Sequence, residues 1–224
     1  MWIFYILKDF FSIYNYREEN MRVLELFSGT KSVGKCCDEL GWQSVSVDFT
    51  MEADHQVDIM DFDYKQYPKD HFDIVWASCP CTEYSKAKSQ GVRDIEGANK
   101  IVMKTLEIIE YFDCKYWFIE NPQTGLLKDQ PFMKDFNYYD GDYCMYGKPY
   151  RKRTRIWTNR IYENDPLVLC NKQCGSFFNG RHIGSCGCGG QGQGHNKSYS
   201  NKSYKLHEKY SMPPEFIYSL FLNY

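Results

Sequence analysis

Two cysteines flank one proline in the stretch "ASCPCTEYS", Ala77 to Ser85, directly after the apolar run Phe72-Asp73-Ile74-Val75-Trp76. A thiol at the end of a buried strand has two readings. One is a turn that contains cysteine. The other is a nucleophile held at the carboxyl edge of a sheet, where the thiolate is the reactive form. A second group of soft donors lies further on. Cys170, Cys174, His182 and Cys186 fall within a short Gly-rich stretch, with Cys188 or His195 as alternatives for the last place. Four such ligands suit tetrahedral zinc, which would order a segment too small to fold by itself. The alternative is free thiols in a loop. The densest cation run, Arg151-Lys152-Arg153-Thr154-Arg155, reads by itself as a solvated charged face.

The elements that must position these groups show in the pattern. "RVLELF" is a short apolar run ending at Ser28-Gly29-Thr30, and Val33, Cys36, Cys37 and Leu40 then recur at helical spacing up to Gly41. "QSVSVDF" alternates and carries Asp48, "VDIMDFD" follows, and "FDIVWAS" is a further strand. A helix runs from about Gly97 to Phe112, and "KYWFIEN" is a strand stopped by Pro122. This alternation predicts an α/β fold with a mostly parallel sheet and helices on both faces. Ligands of such sheets bind at the carboxyl ends of strands. Phe27-Ser28-Gly29, Asp48, Pro80-Cys81 and Glu120-Asn121 all fall there. Asp48 has the usual place of a carboxylate that accepts ribose hydroxyls.

Composition bounds the rest. A chain of 224 residues with 43% hydrophobic and 17% aromatic residues supports one full-sized domain with a small appendage. The net charge of −2 argues against whole-surface attraction to a polyanion, so any such site is local. No stretch reaches the ~20 apolar residues of a membrane span. The opening "MWIFYILKDFF" carries Lys8 and Asp9 without a small-residue cleavage site, so residues 1–20 read as an amphipathic helix or a dispensable extension before Met21. The ten cysteines are unevenly placed, which points to an intracellular, reducing compartment with cysteines used for chemistry and metal. After about residue 160 the texture turns to Gly, Asn, Ser and Cys, a small subdomain or insertion, and "SMPPEFIYSLFLNY" restores a short apolar helix.

Taken in order, "LELFSGTKSVGK", "SCPCTEYS", "FIENP", "RKRTRIW" and "MPPEFIYSLF" resemble the DNA cytosine-5 methyltransferase family. The likeness covers most of residues 22 to 160 plus the last dozen. It implies a Rossmann-like methyltransferase fold, with residues 21–160 as catalytic domain, 161–205 as a Cys-rich recognition-like segment and 206–224 as a helix returning to the catalytic domain. The implied substrate is DNA with a flipped cytosine. The implied cofactor is S-adenosylmethionine, held by Phe27, Ser28, Gly29, Thr30 and Pro80, with Asp48 on the ribose and Asp58 near the adenine amine. Cys81 is the implied nucleophile, Glu120 the acid toward N3 or the exocyclic amine, and Arg153 and Arg155, on one strand face, the donors to O2 and phosphate. Cys79 stands where the family has another proline and is expected to pack.

Some residues depart from the family pattern. Lys31 replaces a second glycine, so the cofactor loop is expected to take another path. Pro122 replaces a small apolar residue, and Arg151 a glutamine. Residues 160–205 lack the family's larger recognition region and its second motif. RNA or a cytosine nucleotide is therefore an alternative acceptor, and a degenerate nucleic-acid-binding domain an alternative to the enzyme. Lys172, Arg181, Lys197, Lys202 and Lys205 give that segment a mildly basic surface suited to phosphates.

Overall fold

A computed structural model of the chain describes residues 20–86, 88, 90–182 and 211–222. The expected helix or extension over residues 1–20, apart from its last residue, lies outside the described residues. So do Cys186, Cys188, His195, Lys197, Lys202 and Lys205.

The elements are β1 Arg22–Leu26, α1 Ser32–Leu40, β2 Gln43–Asp48, β3 His55–Gln56, β4 Ile74–Ala77, α2 Ile95–Phe112, β5 Tyr116–Pro122, β6 Tyr138–Asp142, β7 Arg153–Thr158, β8 Phe177–Phe178, β9 Arg181–His182 and α3 Pro214–Phe221. The first seven strands form one sheet in the order β3-β2-β1-β4-β5-β7-β6. The pairs among β1 to β5 are parallel, and β7 runs antiparallel to both β5 and β6. This is the Rossmann-like α/β fold expected of a methyltransferase. The chain winds outward from β1 to β3 and then restarts beside β1 with β4. That reversal leaves a crevice at the carboxyl ends of β1 and β4, the place where such sheets bind ligands.

Both sheet faces are covered, so the central strands read as apolar runs and not as alternation. On one face Leu24, Leu26, Val75, Ala77, Ile119 and Trp157 pack against Val102, Ile109 and Phe112 of α2. On the other, Val23, Ile74, Trp76, Phe118 and Ile156 meet Val33 and Cys37 of α1 and Phe216, Ile217 and Leu220 of α3. Trp76 and Phe118 are fully buried and stack near Phe221. The apolar strip of α3 thus closes the same face as α1, and Met212 N–H donates to Ser32 Oγ at 3.1 Å. Among the described residues no helix is long and apolar enough to cross a membrane.

The turn from β1 into α1 is tightly specified. Glu25, 2% exposed, accepts N–H bonds from Val33 at 3.1 Å and Gly34 at 2.9 Å, two donors that the first helical turn leaves without partners. Burial pushes its carboxyl up to about 7, although those two bonds pull it down. Lys31 has φ 54° and ψ 45°, the left-handed conformation that a glycine favours. The lysine backbone accepts this strained conformation at a cost of ~1–2 kcal/mol. Lys31→Gly is expected to raise stability by about 1 kcal/mol, a melting-temperature rise of roughly 2–4 °C by calorimetry.

Candidate active site

The crevice is built from four strand ends. After β1, Phe27 turns to φ 57° and Gly29 to φ 49°. Gly29 N–H donates to Asp48 Oδ2 at 2.8 Å, which ties the end of β1 to the end of β2. Asp48 Oδ1 accepts from the N–H groups of Thr50 and Met51, both at 2.8 Å. Burial raises the Asp48 carboxyl, but these bonds outweigh it and hold the group below its ordinary range. Ser28 Oγ is buried and has no hydrogen-bond partner among the described residues, and Thr30 Oγ1 bonds Ser32 Oγ at 2.9 Å. An orphan hydroxyl, a glycine approach and an ionised carboxylate at one sheet edge fit a nucleoside bearing a charged side group. Asp58 lies past β3 on the same side, half-buried, with Oδ1 on Met60 N–H at 2.9 Å.

The cysteine loop leaves the end of β4. Ser78 N–H pairs with Leu26 carbonyl at 3.1 Å, keeping this loop beside the β1 turn. Cys79 is 3% exposed, its Sγ 3.7 Å from Thr105 Oγ1 of α2. Burial pushes its thiol up to about 12, so it is inert and packs as expected. Pro80 is exposed and Cys81 only half-buried, so the second thiol is not drawn into the core as the first is. Tyr84 anchors the far side. It is fully buried, its hydroxyl donates to Asn99 Oδ1 at 2.7 Å, and its carbonyl accepts from Leu126 N–H at 2.9 Å. The Arg93 guanidinium bonds three carbonyls of the same loop, those of Glu83, Ser85 and Lys88.

The third wall is the junction of β5 and β7. Glu120 is 6% exposed, and Asn121 Nδ2 donates to Cys79 carbonyl at 2.9 Å. The register sets Asn121 opposite Arg155 and Glu120 opposite Ile156. Side chains alternate across a strand. Arg153 and Arg155 therefore share a face with Trp157, and Glu120 does not lie on it. Both arginines are gripped by β6: Arg153 forks onto Asp142 with Nε at 3.1 Å and Nη2 at 2.9 Å, and Arg155 onto Asp140 at 2.7 and 2.8 Å. The cation that reaches Glu120 is Lys152, Nζ to Oε1 3.4 Å.

Asp142 is completely buried and also accepts from Arg151 Nε at 3.1 Å and Cys170 N–H at 2.9 Å. Burial raises its carboxyl, but the Arg153 guanidinium and its other donors dominate and hold it below the ordinary range. Cys170 in turn belongs to a donor cluster. The sulfurs of Cys144, Cys170 and Cys174 and a ring nitrogen of His182 lie within 4.8 Å of one another. Cys170 Sγ and His182 Nε2 are 3.4 Å apart. Ligands on one tetrahedral zinc would stand about 3.5 to 3.8 Å apart, so the set fits that ion. The hairpin β8–β9 delivers His182 through an Asn179-Gly180 turn with both φ positive, 47° and 80°.

The structure thus gathers Phe27, Ser28, Gly29, Thr30, Asp48, Cys81 and Glu120 at one sheet edge, and Cys170, Cys174 and His182 in one cluster. It adds two residues that sequence reasoning missed. Cys144 completes the soft-donor set, whereas Cys186 lies outside the described residues. Lys152 was hidden in a cation run, and only the alternation of β7 marks it as facing away from the two arginines.

A family profile described as C-5 cytosine-specific DNA methylase matches residues 21–137. The curated Probable DNA (cytosine-5)-methyltransferase of Frog virus 3 (isolate Goorha) is 33% identical over 224 residues, covering 89% of this chain and 98% of that relative. Among solved structures, the S. pombe Dnmt2 methyltransferase aligns with a TM-score of 0.46 and 14% identity, over 65% of this chain and 51% of that one. A mutant of Spodoptera frugiperda DNMT2 aligns with a TM-score of 0.47 and 16% identity, over 72% and 57%. The chain spans about half the length of these solved structures.

Asp142→Asn is expected to destabilise the fold by about 3 kcal/mol at pH 7, because it strips a buried counter-charge from Arg153. The folded carboxyl titrates below the unfolded one, so its contribution is complete above pH ~4 and fades as pH falls through the folded value. Urea melts at descending pH should show wild type and variant converging.

Proposed function

The chain belongs to the C-5 cytosine-specific DNA methylase family, and from that premise we propose that it methylates C5 of cytosine in DNA through a covalent bond between Cys81 and C6. The observation that carries this reading is the contrast between the two thiols. Cys79 is buried against α2, while Cys81 is half-buried in the loop that leaves the carboxyl end of β4, next to the end of β5 that carries Glu120.

Cytosine C5 is a poor nucleophile. Attack of the Cys81 thiolate on C6 forms the S–C6 bond and pushes the C5=C6 electron pair toward C5, N3 and O2. Glu120 would donate to N3 or hold the exocyclic amine as that charge develops. Phe27, Ser28, Gly29, Thr30 and Pro80 would hold S-adenosylmethionine, with Asp48 toward its ribose and Asp58 toward its adenine, and it would supply the methyl group that C5 takes, leaving as the thioether S-adenosylhomocysteine. The C5 proton then leaves to a base, and elimination returns the electron pair to sulfur and restores the double bond. Arg153 and Arg155 lie on the face of β7 away from Glu120, so the role left to them is the phosphate of the flipped nucleotide and not O2. Asp142 and Asp140 fix the planes of their guanidinium groups through Nε and Nη2. The base has to leave the duplex stack to enter this crevice.

In this reading residues 21–160 are the catalytic domain, 161–205 a recognition-like segment and 206–224 the returning helix. A structural zinc ion, held by Cys144, Cys170, Cys174 and His182, fastens the segment to β6 and β7. Metal analysis of the purified chain should find one zinc, lost in Cys144→Ala. A metal-free wild type with all thiols titratable would remove the ion from this account.

The enzymatic reading is tested with a 5-fluorocytosine-containing duplex. Incubation with S-adenosylmethionine should give a covalent adduct that peptide mass analysis places on Cys81. Cys81→Ser should cut turnover by more than about 10³-fold, and Cys79→Ala should leave most of it. Parallel assays on RNA and on cytosine nucleotides identify the acceptor. Cofactor binding with no adduct on any acceptor would defeat the proposal.

A further inference from the structure

We propose that Lys152 is a positioning residue of this site: its ammonium clamps Glu120 by one carboxylate oxygen and serves as the counter-charge of the Cys81 thiolate. The inference rests on the roles given above to Glu120 and Cys81.

Strand alternation places the Lys152 side chain, with Thr154 and Ile156, on the face of β7 opposite to Arg153 and Arg155. Glu120 stands on that same face, opposite Ile156. The ion pair between them is largely enclosed, with the two side chains 20% and 8% exposed. Lys152 Nζ also lies 4.9 Å from the centre of the Tyr143 ring, which favours a cation there. The Tyr143 hydroxyl is completely buried and is next to that of Thr154, and neither makes a well-formed hydrogen bond among the described residues. Glu120 Oε1 is engaged by Lys152, and Oε2 carries no bond from any described residue. The clamp therefore leaves one oxygen for an incoming base.

Glu120 from β5 and Tyr143 from the turn after β6 touch the ammonium, and the thiol of Cys81, in the loop after β4, is near enough for its charge to act on it. Burial by itself lowers the pKa of Lys152, but the charges of these three groups raise it above its ordinary value. Lys152 is thus a fixed cation between the acid and the nucleophile. Such an enclosed pair adds little net stability, because the desolvation of both ions offsets their attraction. Its effect falls on what the two charges face. A cation in reach of Cys81 favours the thiolate. When that sulfur bonds to C6, the negative charge moves to the ring edge that Glu120 addresses, still within reach of the same ammonium.

The test uses the full-length chain as purified and reads the thiol itself. The rate of iodoacetamide alkylation of Cys81 at neutral pH, followed by peptide mass analysis, is expected to fall about tenfold in Lys152→Met and to stay within about twofold in Lys152→Arg. The acid limb of the pH dependence of kcat/KM should move up by about one unit in Lys152→Met. If Lys152→Met does not fold, the double variant Lys152→Met/Glu120→Gln leaves no unpaired carboxylate and should alkylate equally slowly. Unchanged alkylation in the folded variant overturns the proposal, even where the 5-fluorocytosine adduct forms. Absence of that adduct in wild type would instead overturn the underlying role of Cys81.

Discussion

One reversal of strand direction governs the site. Strands β1 to β5 run parallel, so their carboxyl ends line a single edge, and β7 enters between β5 and β6 in the opposite sense. Its amino end consequently arrives where the others finish. A parallel β7 would carry Lys152, Arg153 and Arg155 to the far edge of the sheet, a full strand length from Cys81. The antiparallel ladder also fixes side-chain parity: a slip of one residue would turn Lys152 away from Glu120 and bring an arginine in its place. The pairing of Phe118 with Thr158 and of Ile119 with Trp157, deep in the core, is what prevents that slip.

Parity alone would put both thiols of the Pro-Cys loop on one face, and the end of the ladder separates them. Ala77 and Cys79 lie on the face covered by α2, and Cys79 is drawn into that core beside Thr105. Asn121 holds its carbonyl from the neighbouring strand. The next residue, Pro80, cannot offer an N–H to extend the ladder. The chain therefore peels off the sheet at that point and leaves Cys81 at the mouth of the crevice. Tyr84 and Arg93 then fasten the loop, so its path is set from both ends.

Much of this was legible in the sequence, and the misses have physical causes. Strands β1, β4 and β5 announce themselves as apolar runs because both faces are buried, and α2 shows its stripe through Val102 and Ile109. Strand β6, "YYDGD", gives no such signal. Its inward charges, Asp140 and Asp142, are balanced by arginines on a different strand, and no local pattern reveals a partner that only the sheet supplies. Cys144 failed for the same reason, since it lies in the turn after β6, far along the chain from the Cys-rich stretch whose ligands it joins. Lys31 is a different case: its residue type does not announce the left-handed conformation it takes in the turn that the bonds of Glu25 and Asp48 hold.

Asp142 joins the two halves of this account. Its carboxylate accepts from Arg151 and Arg153 on one side and from the N–H of Cys170 on the other. Cys170 is one of the four clustered donors, and Cys144, another, follows two residues after Asp142. The position of the Cys-rich segment and the plane of the Arg153 guanidinium are thus set by the same two oxygens. An uncompensated charge at a fully buried position is costly, so neither side can be displaced without the other. The placement of the Cys-rich segment therefore reaches the guanidinium of Arg153 through one carboxylate.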